Sequence, residues 1–218
     1  MEKSKLHIIL SAAISIDGKI ATHTGDSKLS SKQDVIRLHK LRSKVDAILV
    51  GKNTIVHDNP LLTVRFSKGK NPIRVILDSQ GTISKTSKIL QTSDNVPTII
   101  AVSRNISQQN LKNLKKFPVE IIITGKTSVS IKALMSKLQK KGIKTILVEG
   151  GGTINWQFIK NCLFDEILIT ISPFIIGGTE AITFVQGKGF EKINQSPKLK
   201  LKSFKRLENH LFLHYIKT

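Results

Sequence analysis

The chain has 218 residues, 39% of them apolar, one cysteine and a formal net charge of +20. That length suits one large domain or two small ones, and the composition suits a soluble globular protein. The apolar runs are too short for a membrane-spanning helix, and a lone Cys162 rules out an internal disulfide, as suits a reducing cytoplasm.

Lysine supplies most of the charge and is spread along the whole chain, while arginine is scarce and aromatics are 5%. Stacking platforms for nucleic acid are therefore lacking. The charge reads as a solvated surface that also draws in phosphorylated ligands. Residues 1–5 lead straight into a strand-like run without a signal-peptide core. Leu163 and Phe164 beside Cys162 point to a buried, inert thiol.

Taken in order, the pattern predicts a strand over 6–12, then a helix over 31–42 opened by Ser30 or Ser31. Strands follow at 47–50, 73–77 and 98–102. A helix over 108–117 is stopped by Pro118. A strand over 119–124 comes next, then a helix over 130–141 with Ser130 as cap, lysines in its last turn and Gly142 after it. A strand over 145–148 runs into a glycine turn and another helix. Strands at 166–171 and 210–216 close the chain, and 198–204, alternating lysine with apolar residues, reads as a half-buried edge strand. The β–α alternation predicts a mostly parallel sheet covered on both faces, with antiparallel strands added at the C-terminal end. Residues 1–218 read as a single domain of α/β class.

The richest segment is the strand at 145–148 with Glu149, Gly150, Gly151, Gly152 and Thr153 behind it. Glycines let backbone N–H groups come close to a phosphate, and a helix start adds unpaired donors. Glu149 is poorly suited to phosphate and better suited to donors on a second ligand. A glycine-rich connection without a ligand would use the same residues. Gly51 after the strand at 47–50 opens another turn, and Thr54 and Asp58 would share a face if that turn is helical. A turn or cap at Asp58-Asn59-Pro60 is the plainer reading there. Asp78-Ser79 follows a third strand, Asp17-Gly18 is a turn signal, and Thr24–Ser27 is a polar turn ahead of the first helix.

Other chemistries lack support. There is no H-E-x-x-H, C-x-x-C, G-x-S-x-G or P-loop sequence, and no metal is expected. His7, His39, His57, His210 and His214 read as ordinary surface or core residues.

Several segments in order carry a family resemblance: Ser15–Ala21, Thr24–Ser27, Leu41-Arg42, Val50–Thr54, Asp58–Arg65, Asn71–Ser79, Leu147–Thr153, Asp165-Glu166 and Pro173–Gly178. Together they resemble the riboflavin-biosynthesis pyrimidine reductases over residues 6–216. The resemblance implies a dihydrofolate-reductase-like three-layer fold. It implies NADPH-dependent reduction of the ribosylamino side chain of 2,5-diamino-6-(ribosylamino)-4(3H)-pyrimidinone 5′-phosphate to the ribitylamino form. It also implies a cytoplasmic homodimer that needs neither metal, membrane nor nucleic acid. The zinc deaminase motifs of the bacterial bifunctional members are missing, which matches the archaeal and fungal single-activity type.

Carried over by motif, Ala13, Thr54, Asp58, Ser79 and the Gly150, Gly151, Gly152, Thr153 turn would contact NADPH. Ser27, Arg42, Leu62, Arg65 and Glu149 would contact the substrate. Arg42 and Arg65 suit bidentate binding of the 5′-phosphate. Asp58, then Glu149, are the candidates to assist protonation. Many bacterial members carry an aromatic residue where this chain has Leu29, which implies different packing beside the nicotinamide. Dihydrofolate reductase is the nearest rival enzyme, and a basic nucleic-acid-binding module the rival of another class.

Overall fold

The computed structural model describes residues 6–218; the lead-in at 1–5 lies outside them. The elements are β1 (His7–Ile14), β2 (Lys19–Ala21), α1 (Lys32–Arg42), β3 (Ala47–Gly51), α2 (Lys52–Asp58), β4 (Ile73–Leu77), α3 (Lys88–Gln91) and β5 (Thr98–Val102). After them come α4 (Gln108–Leu114), β6 (Glu120–Ile123), α5 (Ile131–Lys140), β7 (Thr145–Val148), α6 (Gly152–Lys160), β8 (Glu166–Ile171), β9 (Ile182–Thr183), β10 (Leu199–Leu207) and β11 (His210–Lys217).

Nine strands form one sheet in the order β10-β11-β8-β1-β7-β3-β4-β5-β6. From β8 to β6 neighbouring strands are parallel. β11 pairs antiparallel with β8, and β10 antiparallel with β11. This is the expected mixed sheet with its antiparallel C-terminal addition. The reason lies in the strands themselves. β3 is buried at every position. Its Ala47 and Leu49 go to one face and Ile48 and Val50 to the other, as a pleat of period two requires. A strand apolar on both sides needs helices on both. α5 and α6 cover one face through Leu134, Leu138, Phe158 and Ile159. α1 to α4 cover the other, with Ile55, Ile89, Leu90 and Leu114 among the contacts. Fully burying a side chain such as Leu134 stabilises the fold by about 1.5–3 kcal/mol.

The caps explain the helix limits. The Ser31 hydroxyl accepts from the Asp34 amide, and His39, Lys40 and Arg42 occupy the last turn of α1. Ser130 caps α5 in the same way, and Gly142 beyond it takes φ +86°. α6 differs, because its cap is Gly151 and no side chain satisfies its first amides.

Some expectations need correction. Residues 52–58 form a helix straight after Gly51, where a turn was expected. α4 ends at Leu114, three residues short of the predicted limit, because Pro118 has no amide to donate and disfavours helical conformation in the residue before it. The short β2 and β9, which pair with each other, and the one-turn α3 have no periodicity to announce them. β10 is exposed at all but its last position; an edge strand beyond the helix layers has nothing to cover it. Cys162 is exposed, since it sits past the end of α6 at φ +52° while Phe164 turns into the core.

Candidate active site

The C-terminal ends of β1, β7, β3 and β4 open on one cleft of about 550 Å³. Strands β3 to β6 step outward in chain order, whereas β7 and β8 return to flank β1. Where strand order reverses in this way, the connections diverge and leave a crevice at the strand ends. Ala13, Ser27, Thr54, Asp58, Ser79, Glu149, Gly150, Gly151, Gly152 and Thr153 all line it.

The turn after β7 forms the floor. Among the described residues the amides of Gly150, Gly151, Gly152 and Thr153 make no backbone hydrogen bond, so four adjacent donors stand open at the start of a nine-residue helix. Gly150 has φ +67°, and a Cβ there would lie 2.8 Å from the Asn155 Oδ1. A Cβ on Gly152 would collide with the Thr183 carbonyl oxygen, whereas one on Gly151 meets only the Thr54 Oγ1, at 4.0 Å. Two glycines are therefore packed in, and the middle one faces open space. The carbonyl of Gly150 accepts from the Gly51 amide at 3.1 Å and the Thr54 hydroxyl at 3.4 Å, which locks this turn to α2. A row of free amides on a fixed backbone fits a phosphate diester such as a dinucleotide carries.

Glu149 stands at the mouth of that turn. Arg42 Nε donates to its Oε1 at 2.7 Å and Nη2 to its Oε2 at 2.6 Å. The two side chains are only 9% and 12% exposed. Burial works against the Arg42 charge, but Glu149 more than offsets it and holds the arginine above its usual pKa. Arg42 Nη1 also donates to the Thr63 carbonyl at 3.3 Å. The fork expected to grip a substrate phosphate is thus taken up in fixing Glu149, and Arg42 does not line the cleft.

Leu62, another expected substrate contact, has its side chain in the core at 2% exposure with φ +52°. Only its backbone is left to meet a ligand. Leu29 is buried away from the cleft, its carbonyl paired with His210 Nε2 at 3.0 Å. Arg65 is outside the cleft lining and exposed. Its amide donates to His39 Nδ1 at 2.9 Å, and among the described residues its guanidinium meets Thr63 Oγ1, at 3.4 Å, and lies 5.8 Å from the centre of the Phe66 ring.

His39 is a support for that loop. Burial pushes its pKa down to about 4, the nearby Arg42 and Arg65 charges push the same way, and Glu149 opposes them. Between pH 6.5 and about 4 the unfolded chain binds a proton that the folded chain refuses. Stability is whole above that window and falls as pH falls through it. At about 1.36 kcal/mol per unit the loss reaches up to roughly 3 kcal/mol. Urea unfolding at pH 7.5 and pH 5 checks this: His39→Gln should flatten the pH dependence, and an equal slope in both proteins would contradict it.

The cleft also contains residues the sequence reading did not single out. Asp34, 1% exposed, accepts from Ser30 Oγ, Arg37 Nε and Thr170 Oγ1 at 2.7, 2.8 and 2.6 Å. In the sequence it is one polar residue in the first turn of a capped helix. Lys52 and Gln80 line the other end. Asp58 accepts from the Ser27 hydroxyl at 3.1 Å, which joins a residue expected on the substrate to one expected on the cofactor. Among the described residues no group of three His, Cys, Asp or Glu could hold a metal, and no helix is long and apolar enough to cross a membrane.

Known proteins resemble the chain throughout. The RibD C-terminal domain family matches residues 6–213. The 2,5-diamino-6-ribosylamino-4(3H)-pyrimidinone 5′-phosphate reductase of Methanothermobacter thermautotrophicus is 37% identical over 212 residues, covering 96% of this chain and 97% of that one. Acinetobacter baumannii RibD superposes with a TM-score of 0.84 at 25% identity, covering 99% of this chain and 58% of that longer one. Enterococcus faecalis dihydrofolate reductase superposes with a TM-score of 0.55 at 11% identity, covering 97% of this chain, a likeness of fold alone. The expected dihydrofolate-reductase-like sheet is borne out.

Proposed function

The chain belongs to the RibD C-terminal domain family and is a reductase of riboflavin biosynthesis; from that premise we propose that it reduces 2,5-diamino-6-(ribosylamino)-4(3H)-pyrimidinone 5′-phosphate with NADPH. The product is the ribitylamino compound. One observation carries the reading: four free amides suited to a dinucleotide open on the same cleft as a carboxylate pinned by a buried arginine.

The sugar ring of a ribosylamine opens to an imine, which exposes an electrophilic C1′. When bound, NADPH supplies the reducing equivalent that C1′ gains. The amide row of 150–153 would hold the cofactor pyrophosphate, with Thr54 in the first turn of α2 and Ser79 past the end of β4 beside it. Glu149 accepts from the amino and N–H groups of the pyrimidine edge, and Arg42 keeps it in that orientation. Asp58, exposed in the cleft beside Ser27, passes a proton through solvent to the amine nitrogen. Alignment of the two ligands and exclusion of water are the protein's main contribution.

We read residues 1–218 as one reductase domain working as a cytoplasmic homodimer, with Leu199, Leu201 and Phe204, exposed on β10, facing a second copy. The lysine excess serves solvation and attracts phosphorylated ligands rather than nucleic acid. NADPH oxidation with the diaminopyrimidine ribotide, followed by mass analysis of the product, tests the function. A gain of two hydrogens supports it, and turnover of dihydrofolate in place of the ribotide refutes it.

Arg65 is expected to anchor the 5′-phosphate, since its guanidinium has no acidic partner among the described residues and its backbone is fixed by His39. A charge-assisted hydrogen bond contributes about 1.5–3 kcal/mol, or roughly 10- to 150-fold in affinity. Arg65→Ala should weaken the ribotide by that factor and leave NADPH binding intact. Arg65→Lys should restore part, because a point charge lacks the planar fork. Equal harm to the ribotide and to the dephosphorylated riboside would show that Arg65 does not read the phosphate.

A further inference from the structure

We infer that Asp34 reads the 2-amino group of the substrate ring and so sets the deamination state that the enzyme accepts: the diaminopyrimidinone is bound and its 2-oxo counterpart is turned away. This rests on the pyrimidine ribotide reading of the cleft.

The Asp34 carboxylate does not serve its own helix. It lies in the first turn of α1, but Ser31 caps that turn. Among the described residues its donors are all side chains, from three places: Ser30 ahead of the helix, Arg37 one turn on and Thr170 on β8. Arg37 Nε and the Thr170 hydroxyl both donate to Oδ1, which fills the two acceptor positions of that oxygen. Oδ2 accepts from Ser30 alone, so one of its positions is open. Asp34 is 1% exposed and lines the cleft. A buried carboxylate is costly unless its acceptors are used, and here the unused one is in a wall of the ligand cleft.

Strand order places the two acids of the cleft. β8, β1 and β7 are consecutive in the sheet. Thr170 holds Asp34 over β8, and Glu149 follows β7. The acids therefore flank the end of β1, two strand intervals or roughly 10 Å apart. Between them Ala12 and Ala13 of β1 line the cleft, a small apolar floor on which a ring can lie. The substrate ring has donors on opposite edges. Its 5-amino group and 6-N–H stand beside the ribose, and N3–H and the 2-amino group stand across from them. C1′ must meet the cofactor, and the glycine turn adjoins Glu149, so the ribose-side edge faces Glu149. The far edge then faces Asp34 and its open Oδ2. Deamination exchanges the 2-amino donor for a carbonyl oxygen. An acceptor would then confront a buried carboxylate, and a site built to take an N–H rejects the analogue that lacks it.

Calorimetric titration with the diaminopyrimidinone ribotide and with its 2-oxo counterpart, each with and without NADP+, tests this in the absence of turnover. Wild type should bind the diamino ligand about 10- to 150-fold more tightly, the range of one charge-assisted hydrogen bond. Asp34→Asn keeps the shape and can turn an amide N–H toward a carbonyl, so it should bring the two ligands within about threefold. Thr170→Val removes only the hydroxyl that orients Asp34 and should lower the preference by about threefold or more. A thermal melt establishes that each variant is folded. If Asp34→Asn does not fold, Thr170→Val carries the test, and an unchanged preference there overturns the assignment. If a folded Asp34→Asn keeps the wild-type preference, the role of Asp34 is overturned while the ribotide reading stands. If wild type binds both ligands equally, 2-amino recognition is overturned and the ribotide reading survives. If it binds neither under either condition, the ribotide reading itself falls, and this inference with it.

Discussion

Gly151→Val is expected to abolish NADPH binding in a chain that still folds. The three glycines of the turn differ in what surrounds them. A side chain on Gly150 would strike Asn155, and one on Gly152 would strike the Thr183 carbonyl, so either change disturbs the fold as well as the site. At Gly151 the nearest atom to a new Cβ is the Thr54 hydroxyl, 4.0 Å away. The valine branches would therefore project into the cleft and cover the free amides. Loss of two charge-assisted hydrogen bonds costs about 3 kcal/mol or more, hence at least roughly 100-fold in affinity. Fluorescence titration with NADPH and a thermal melt, run on the same preparation, give the answer. A folded variant with wild-type affinity would remove the turn from the site.

Arg42→Met is expected to have the largest effect on stability. It leaves the Glu149 carboxylate, 12% exposed, without its partner. Stranding one member of a buried ion pair costs about 3–5 kcal/mol. Removing both charges is much milder, because the desolvation penalty disappears with them. The double variant Arg42→Met/Glu149→Met should thus regain most of the lost stability in urea unfolding. It should not regain ribotide binding, since the acceptor for the pyrimidine edge is gone. Additive losses in the double variant would mean that the two residues are not coupled.

The strands and long helices were legible because burial writes itself into sequence. The runs at 47–50, 73–77 and 98–102 are apolar at nearly every position, and only a strand covered on both sides uses them that way. Ser31 and Ser130 announced their helices by capping chemistry. The glycine turn and Glu149 were legible as a row of donors with an acceptor beside it, and the structure brings both to one cleft. What was illegible involved partners far away in the chain. Nothing near Arg42 says that its fork is filled by Glu149, 107 residues later. Leu62 carried the family motif, yet the motif does not say that its side chain points inward. Lys52 is one lysine among many in the sequence, and only the structure places it in the cleft wall. Beyond the helical turn that would let Thr54 and Asp58 share a face, the extent of the helix at 52–58 was not legible, because seven residues give too short a window for a period of 3.6.

The position of β7 has a consequence for how the protein is made. In the finished sheet β7 lies between β1 and β3, yet those two strands leave the ribosome long before it. About 90 residues separate the end of β3 from the start of β7, and at roughly 5–20 residues per second their synthesis takes on the order of 5–20 s. Throughout that interval β1 and β3 each present an unpaired apolar edge that must not close on the other. The slot that β7 fills is a standing invitation to wrong pairing, of the kind chaperones exist to guard. Because the glycine turn proposed to hold the cofactor phosphates is the continuation of β7, a ligand held there cannot assist folding until that insertion has happened. A ligand of that turn would stabilise a nearly finished molecule, but it would not shorten the wait.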